Sequence, residues 1–138
     1  MADTSFKSHA YWTKAAKRVF DDRSATIAAY LNRAKCDVDI DRARLIYGMS
    51  VSELRYLIIN DDISVSQLLA LFYRRALTVG VELNALADVN IEANLKLAKE
   101  LEFQLHATKK EDRDSKLGAL FGVPISIKDN ILVEGMNI

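Results

Sequence analysis

The sequence predicts an α/β fold in which helices dominate. Half of the 138 residues are hydrophobic, and only one proline and five glycines are present, a composition typical of a folded, mostly helical chain. Amphipathic helical patterns fill most of the sequence. Near its end, a β-branched apolar run formed by Val123, Ile125 and Ile127 lies beside Gly122 and Pro124 and predicts a buried β-strand.

The first predicted element is a long amphipathic helix from about Ser8 to Ala34. Its apolar side chains recur at helical spacing: Trp12, Ala16, Val19, Phe20, Ile27, Tyr30 and Leu31. Membrane contact through residues 8–34 is one interpretation of this stripe. However, the polar face mixes acids with bases, and no apolar run approaches the roughly 20 residues of a spanning helix. Packing within the protein is therefore the favoured interpretation.

Two further helices are predicted in the middle of the chain. Ser50 or Ser52 can cap the first, which breaks at residues 60–62, and Ser64 can cap the second, which ends at Gly80. The apolar positions of the first are Val51, Leu54, Leu57 and Ile58. Those of the second are Val65, Leu68, Leu69, Phe72, Ala76 and Val79.

A fourth predicted helix runs from Ile91 to His106, with Ala93, Leu97, Leu101 and Leu105 pointing inward. The mixed-sign run at 109–114 predicts a surface loop. These helices and the strand near residue 125 are the secondary-structure elements that the residue pattern alone predicts.

Charge and rare residues exclude several classes of function. The chain carries 19 basic and 19 acidic side chains, so its charge favours no nucleic-acid partner. A single cysteine, Cys36, and the lack of a signal peptide predict a reducing, cytoplasmic location. The histidines, His9 and His106, lack the spacing of metal ligands. We therefore predict no metal site and no cofactor.

The most informative residue is Lys128, at the end of the apolar run. A lysine beside a buried strand is desolvated unless it reaches solvent, and burial lowers the pKa of its amine from about 10.4. A neutral amine can activate a serine hydroxyl. Gly122 to Asp129 resembles the motif G-[IV]-P-x-x-[IVL]-K-D of the amidase signature family, serine hydrolases that include fatty acid amide hydrolases and the A subunits of glutamyl-tRNA amidotransferases.

The resemblance implies a Ser-Ser-Lys triad in which Lys128 is the catalytic base. Lys128 would deprotonate a bridging serine, which would deprotonate the attacking serine. In the family both serines come from later segments, so neither is present in this chain. Asp129 and Asn130 would support the turn after the strand. Ser126, which shares a strand face with Lys128, is interpreted as structural.

The resemblance also implies the architecture and extent of the domain. Residues 49–138 would be the N-terminal part of an amidase signature domain, and residues 1–48 an N-terminal helical extension. Leu83 to Val89 and Ile125 to Val133 would be strands of a truncated mixed sheet, and residues 131–136 resemble the family's continuation of the motif. Such a chain would come from an incomplete gene model, be part of a longer polypeptide or be a stand-alone remnant, and it would be inactive by itself.

Two classes of function follow from these expectations. The first is the N-terminal fragment of a hydrolase that cleaves carboxylic amides, fatty acid amides included, with a small-molecule or lipid substrate. The second is a noncatalytic helical interaction module, or an inactive remnant of an amidase. Substitution of Lys128 separates the two, because only the hydrolase requires its amine.

Overall fold

The computed structural model describes residues 25, 29, 38–80, 82, 83, 85, 86, 89–128 and 130–134. The chain divides into two compact units, Met1–Arg33 and Ala34–Ile138. In the first unit only Ala25 and Ala29 are described, and both are helical. The long helix predicted from residue 8 to 34 otherwise lies outside the described residues. The proposed domain boundary at residues 48 and 49 stays a prediction.

The second unit is built from helices. Their bounds are α1, Ile40–Tyr47; α2, Val51–Ile59; α3, Val65–Arg75; α4, Ile91–Ala107; and α5, Arg113–Lys116. A π-helical turn, Ala76–Gly80, extends α3, and a 3-10 turn, Lys110–Asp112, precedes α5. The predicted helices of the middle region and the helix that follows them are confirmed. None of the described helices combines the length and the apolar character needed to cross a membrane.

Capping boxes begin α2 and α3. The Ser50 hydroxyl oxygen accepts a hydrogen bond from the Glu53 backbone N–H at 3.3 Å, while the Glu53 carboxylate accepts one from the Ser50 N–H at 2.7 Å. Of the two serines predicted to cap this helix, Ser50 is therefore the cap. Two hydrogen bonds from Ser50 lower the pKa of the Glu53 carboxylate. The one from the Ser50 hydroxyl has the larger effect, and the one from the Ser50 backbone N–H has the smaller. Ser64 and Gln67 repeat the arrangement at α3.

Tyr47, at the end of α1, contacts α3. The Tyr47 hydroxyl donates a hydrogen bond to the Leu71 carbonyl oxygen at 2.9 Å. The Tyr47 ring meets the Phe72 ring edge to face, with 5.8 Å between centroids, and the Arg75 guanidinium lies 4.9 Å from the Tyr47 centroid. These contacts place α1 beside the C-terminal half of α3.

The core of this unit lies around α3. Its largest fully buried side chains are Ile46, Ile58, Leu68 and Leu71. Helix α4 runs antiparallel to α3, as polar contacts at the two ends show. The Glu102 carboxylate accepts a hydrogen bond from the Ser66 backbone N–H at 2.8 Å, and the Asn94 amide donates to the Tyr73 hydroxyl. Glu102 therefore places a negative charge at the N-terminus of α3, where the helix dipole favours it.

The inward face of α4 differs from its predicted face. Ala93 and Leu97 are exposed, Leu101 is half-buried, and only Leu105 of the predicted set is buried. The observed inner stripe instead joins Ala98 and Leu105 to the polar residues Asn94 and Glu102. The prediction was wrong because apolar periodicity alone gives no weight to polar side chains that pair with a neighbouring helix.

An arginine fixes the turn between α2 and α3. Asp61 has a positive φ of 65° there, a conformation that few residues other than glycine adopt. Buried Arg113 donates hydrogen bonds to the Ile59 carbonyl oxygen at 2.9 Å and to the Asp61 carboxylate at 2.7 Å. It also reaches the Thr108 carbonyl oxygen at 3.3 Å. Arg113 thus joins the start of α5 to the end of α2 and the end of α4.

The predicted strands are not confirmed. Among the described residues of 83–89, 123–128 and 130–134, none lies in a β-strand. Ile125 and Ile127 are 67% and 49% exposed, so the apolar run is not buried. A strand needs a partner to pair its backbone N–H and carbonyl groups, and the described part of this segment has none.

Tyr73 is expected to make stability depend on alkaline pH. Burial is the main influence and raises the pKa of Tyr73, whereas the hydrogen bond from Asn94 lowers it. The hydroxyl therefore stays protonated in the folded state to a higher pH than in the unfolded state, which ionises near pH 10. Its contribution to stability is complete below about pH 10 and is lost as the pH rises through the folded pKa.

Urea unfolding between pH 8 and about pH 11 tests this expectation. Tyr73→Phe should reduce the alkaline loss of stability, whereas Tyr56→Phe, at an exposed tyrosine, should leave it unchanged. An alkaline slope that is the same in wild type and Tyr73→Phe would show that Tyr73 does not cause it.

Candidate functional site

The segment that leads into the lysine-bearing motif, residues 117–122, is packed against the helical core. Leu117 and Phe121 are buried, and the Phe121 N–H donates to the Gly118 carbonyl oxygen at 3.0 Å to close a turn. Gly122 has a φ of 71°. A Cβ atom added there would lie 2.9 Å from Val65 Cγ2 and 3.0 Å from Ile58 Cδ1. A glycine is therefore required by both the conformation and the space.

One guanidinium holds the backbone that leads into this turn. Arg55, on α2, donates from Nε to the Gly118 carbonyl oxygen at 3.0 Å and from Nη2 to those of Asp114 and Leu117 at 2.9 Å and 3.0 Å. Its Nη1 lies 2.6 Å from the Asp114 carboxylate. Sequence analysis did not identify Arg55, because its acceptors lie about 60 residues away along the chain and leave no local pattern.

Lys128 lies beyond this packed region and is exposed. The prediction that the apolar run buries its amine is therefore wrong for this chain. The physical reason is the same as for the missing strand, since no segment among the described residues covers 125–128. Within the described residues, no hydrogen bond or ion pair holds the Lys128 amine.

The residues around Lys128 form a turn. The Lys128 carbonyl oxygen accepts a hydrogen bond from the Ile131 N–H at 2.9 Å. Asn130 lies in this turn and is exposed, as is Ser126 before it, whereas Asp129 lies outside the described residues. The structure thus places Lys128 and Asn130 in one turn, and their predicted chemical roles stay predictions.

Of the two histidines and the cysteine considered in the sequence analysis, the structure describes His106. His106 Nε2 lies 4.0 Å from the Asp61 carboxylate, on the exposed side of the turn that Arg113 fixes. Cys36 and His9 lie outside the described residues. No group of three or more potential metal-ligating side chains occurs within the described part of the chain.

Comparison with known proteins identifies the family of this chain. The Amidase family model matches residues 67–138, just over half of the chain, and this match includes the Gly122 to Lys128 motif. The chain belongs to the amidase signature family, as the motif predicted.

Individual relatives agree with this assignment. The chain is 40% identical over 88 residues to the A subunit of glutamyl-tRNA(Gln) amidotransferase from Clostridium kluyveri, covering 64% of this chain and 17% of that protein. It is 38% identical over 91 residues to the corresponding protein from Geobacillus kaustophilus, covering 66% and 18%. The chain thus spans under one fifth of the length of these curated relatives. No solved structure matches it.

Proposed function

We propose that this chain is the lysine-bearing part of an enzyme that cleaves carboxylic amides, as a hydrolase or an amidotransferase. The observation that carries the proposal is the Gly122 to Lys128 motif inside the region that matches the family. The substrate class is a carboxylic amide, with fatty acid amides included. Activity would require a longer polypeptide, because the two serines of the proposed triad are not in this sequence.

The proposed role of Lys128 is that of a general base. Its neutral amine takes a proton from a bridging serine, and that serine takes one from the attacking serine. The attacking oxygen then bonds to the amide carbon, the carbon–nitrogen bond breaks, and the leaving amine receives a proton. Water then cleaves the resulting serine ester, which releases the carboxylic acid and restores the serine hydroxyl. Each proton transfer of this kind contributes roughly 10²- to 10⁴-fold to a rate.

This role requires a covered amine, and the exposed segment indicates how it would be covered. Ile125, Ile127 and Leu132 are all exposed and apolar. In a polypeptide of the length of the relatives, we propose that further strands pair with this segment and complete a mixed sheet. Pairing would bury the apolar side chains and cover the lysine amine with them.

Lys128→Ala in the complete polypeptide is expected to lower amide hydrolysis by about 10²-fold or more, because the base would be lost. Release of the amine product from a carboxylic amide gives the rate, and circular dichroism reports the fold. Lys116→Ala is the matched control, since it removes an exposed lysine that forms an ion pair with Asp112 on the protein surface. Full turnover by the folded Lys128→Ala protein would exclude Lys128 as the base.

A noncatalytic interaction module is the second candidate. The exposure of the apolar side chains from Ile125 to Val133 favours it, because such a surface suits a partner chain. This function predicts a stable complex that survives Lys128→Ala, together with no amide hydrolysis by the wild-type polypeptide. The experiment above therefore separates the two candidates.

A further inference from the structure

The Arg55 guanidinium binds mainly backbone carbonyl oxygens, in addition to forming one ion pair. Its planar group presents donors in a fixed geometry, and here they reach three carbonyl oxygens as well as one carboxylate. The Arg55 side chain is only 14% exposed, whereas that of Asp114 is 83% exposed. An ion pair with so exposed a partner contributes little. The main role of Arg55 is therefore to hold the backbone at these three carbonyl oxygens.

Helix α2 contacts the turn 118–122 at a second point. Ile58, one turn after Arg55, lies against Gly122, and Arg55 binds the Gly118 carbonyl oxygen. Both ends of the turn 118–122 are thus fixed to one helix. Val123 and Pro124 remain half-buried, and the exposed segment begins at Ile125.

We propose that Arg55 is a positioning residue for Lys128, and that it acts by fixing the point from which the lysine-bearing segment leaves the core. This inference rests on the proposed function for its catalytic meaning. It extends the functional region into α2, which precedes the residues that match the family model. Lysine cannot replace Arg55 in this role, because an ammonium lacks the planar set of donors that three carbonyl oxygens require.

Amide hydrogen exchange on the full 138-residue chain tests the positioning directly. In Arg55→Lys, the N–H groups of Phe121 and Val123, which donate to carbonyl oxygens of the turn, should exchange about tenfold faster or more. The N–H groups of Leu68 and Leu71, inside α3, should keep their wild-type rates. Asp114→Asn should change the turn by less than about threefold, because it keeps the three carbonyl contacts.

The outcomes are decisive in either direction. Faster exchange confined to the turn supports the proposal, and it gains support if Arg44→Lys, at an exposed arginine, has no effect. Unchanged exchange in the turn overturns it. An equal increase at Leu68 and Leu71 also overturns it, because Arg55 would then stabilise the whole unit without a specific effect on the motif.

Kinetics of the complete polypeptide supply the catalytic readout. Arg55→Lys should lower kcat by about tenfold with KM within about twofold of wild type, because a displaced base affects the chemical step more than substrate binding. Activity that is independent of Lys128 would refute the proposed function and leave the exchange result standing. Wild-type kcat in Arg55→Lys, combined with loss of activity in Lys128→Ala, would refute the positioning role alone.

Discussion

Arg113→Ala should lower the free energy of unfolding by about 2–4 kcal/mol, because it leaves carbonyl oxygens without donors in a buried setting. The Ile59 and Thr108 carbonyl oxygens both accept hydrogen bonds from Arg113. The Asp61 carboxylate would also lose its closest cation, at a residue held in a positive φ conformation. Urea unfolding followed by circular dichroism measures the change.

Lys116→Ala is the control for this prediction. Lys116 lies on the same short helix and forms an ion pair with Asp112 at 2.7 Å, but it is exposed. Its loss should cost no more than about 1 kcal/mol, as is usual for an exposed pair. Equal effects of the two substitutions would show that Arg113 does not fix the turn at Asp61.

Gly122→Ala should destabilise the protein by about 2–4 kcal/mol, for two reasons. The left-handed conformation costs a residue with a side chain about 1–2 kcal/mol, and overpacking of a close contact costs about 1–3 kcal/mol. At Gly122 the φ is 71°, and the new methyl group would press on Val65 and Ile58, both in the core. Thermal or urea unfolding measures the loss.

Gly118→Ala provides a matched comparison within the same turn, residues 118–122. A Cβ atom there meets nothing within 4 Å, and Gly118 does not have a positive φ. The substitution should be neutral or stabilising by up to about 1 kcal/mol, because alanine reduces the freedom of the unfolded chain. If Gly118→Ala proves as damaging as Gly122→Ala, backbone freedom at both glycines, and not the contact with Ile58, must be the cause.

The helices could be predicted from sequence because their signals are local. Ser50 and Ser64 precede apolar stripes at helical spacing, and each is followed three residues later by a side chain that completes a capping box. The family could likewise be predicted from the short motif that ends at Lys128. Both inferences use information contained within a few residues.

The burial of Lys128 could not be predicted in the same way, because burial depends on a partner. The pattern of Ile125 and Ile127 is typical of a strand that another strand covers, and in this chain the segment is exposed. Arg55 and Arg113 were missed for a related reason. Each bonds to backbone more than 50 residues away, where hydrophobic patterns carry no information.

The two polar contacts between α3 and α4 have a consequence for how these helices can pair. Ser66 with Glu102, and Tyr73 with Asn94, lie near opposite ends of the antiparallel pair. Sliding one helix along the other by a single turn, about 5.4 Å, would separate both pairs at once. Apolar surfaces alone tolerate such a shift far better, so these contacts select one register from several alignments of similar hydrophobicity.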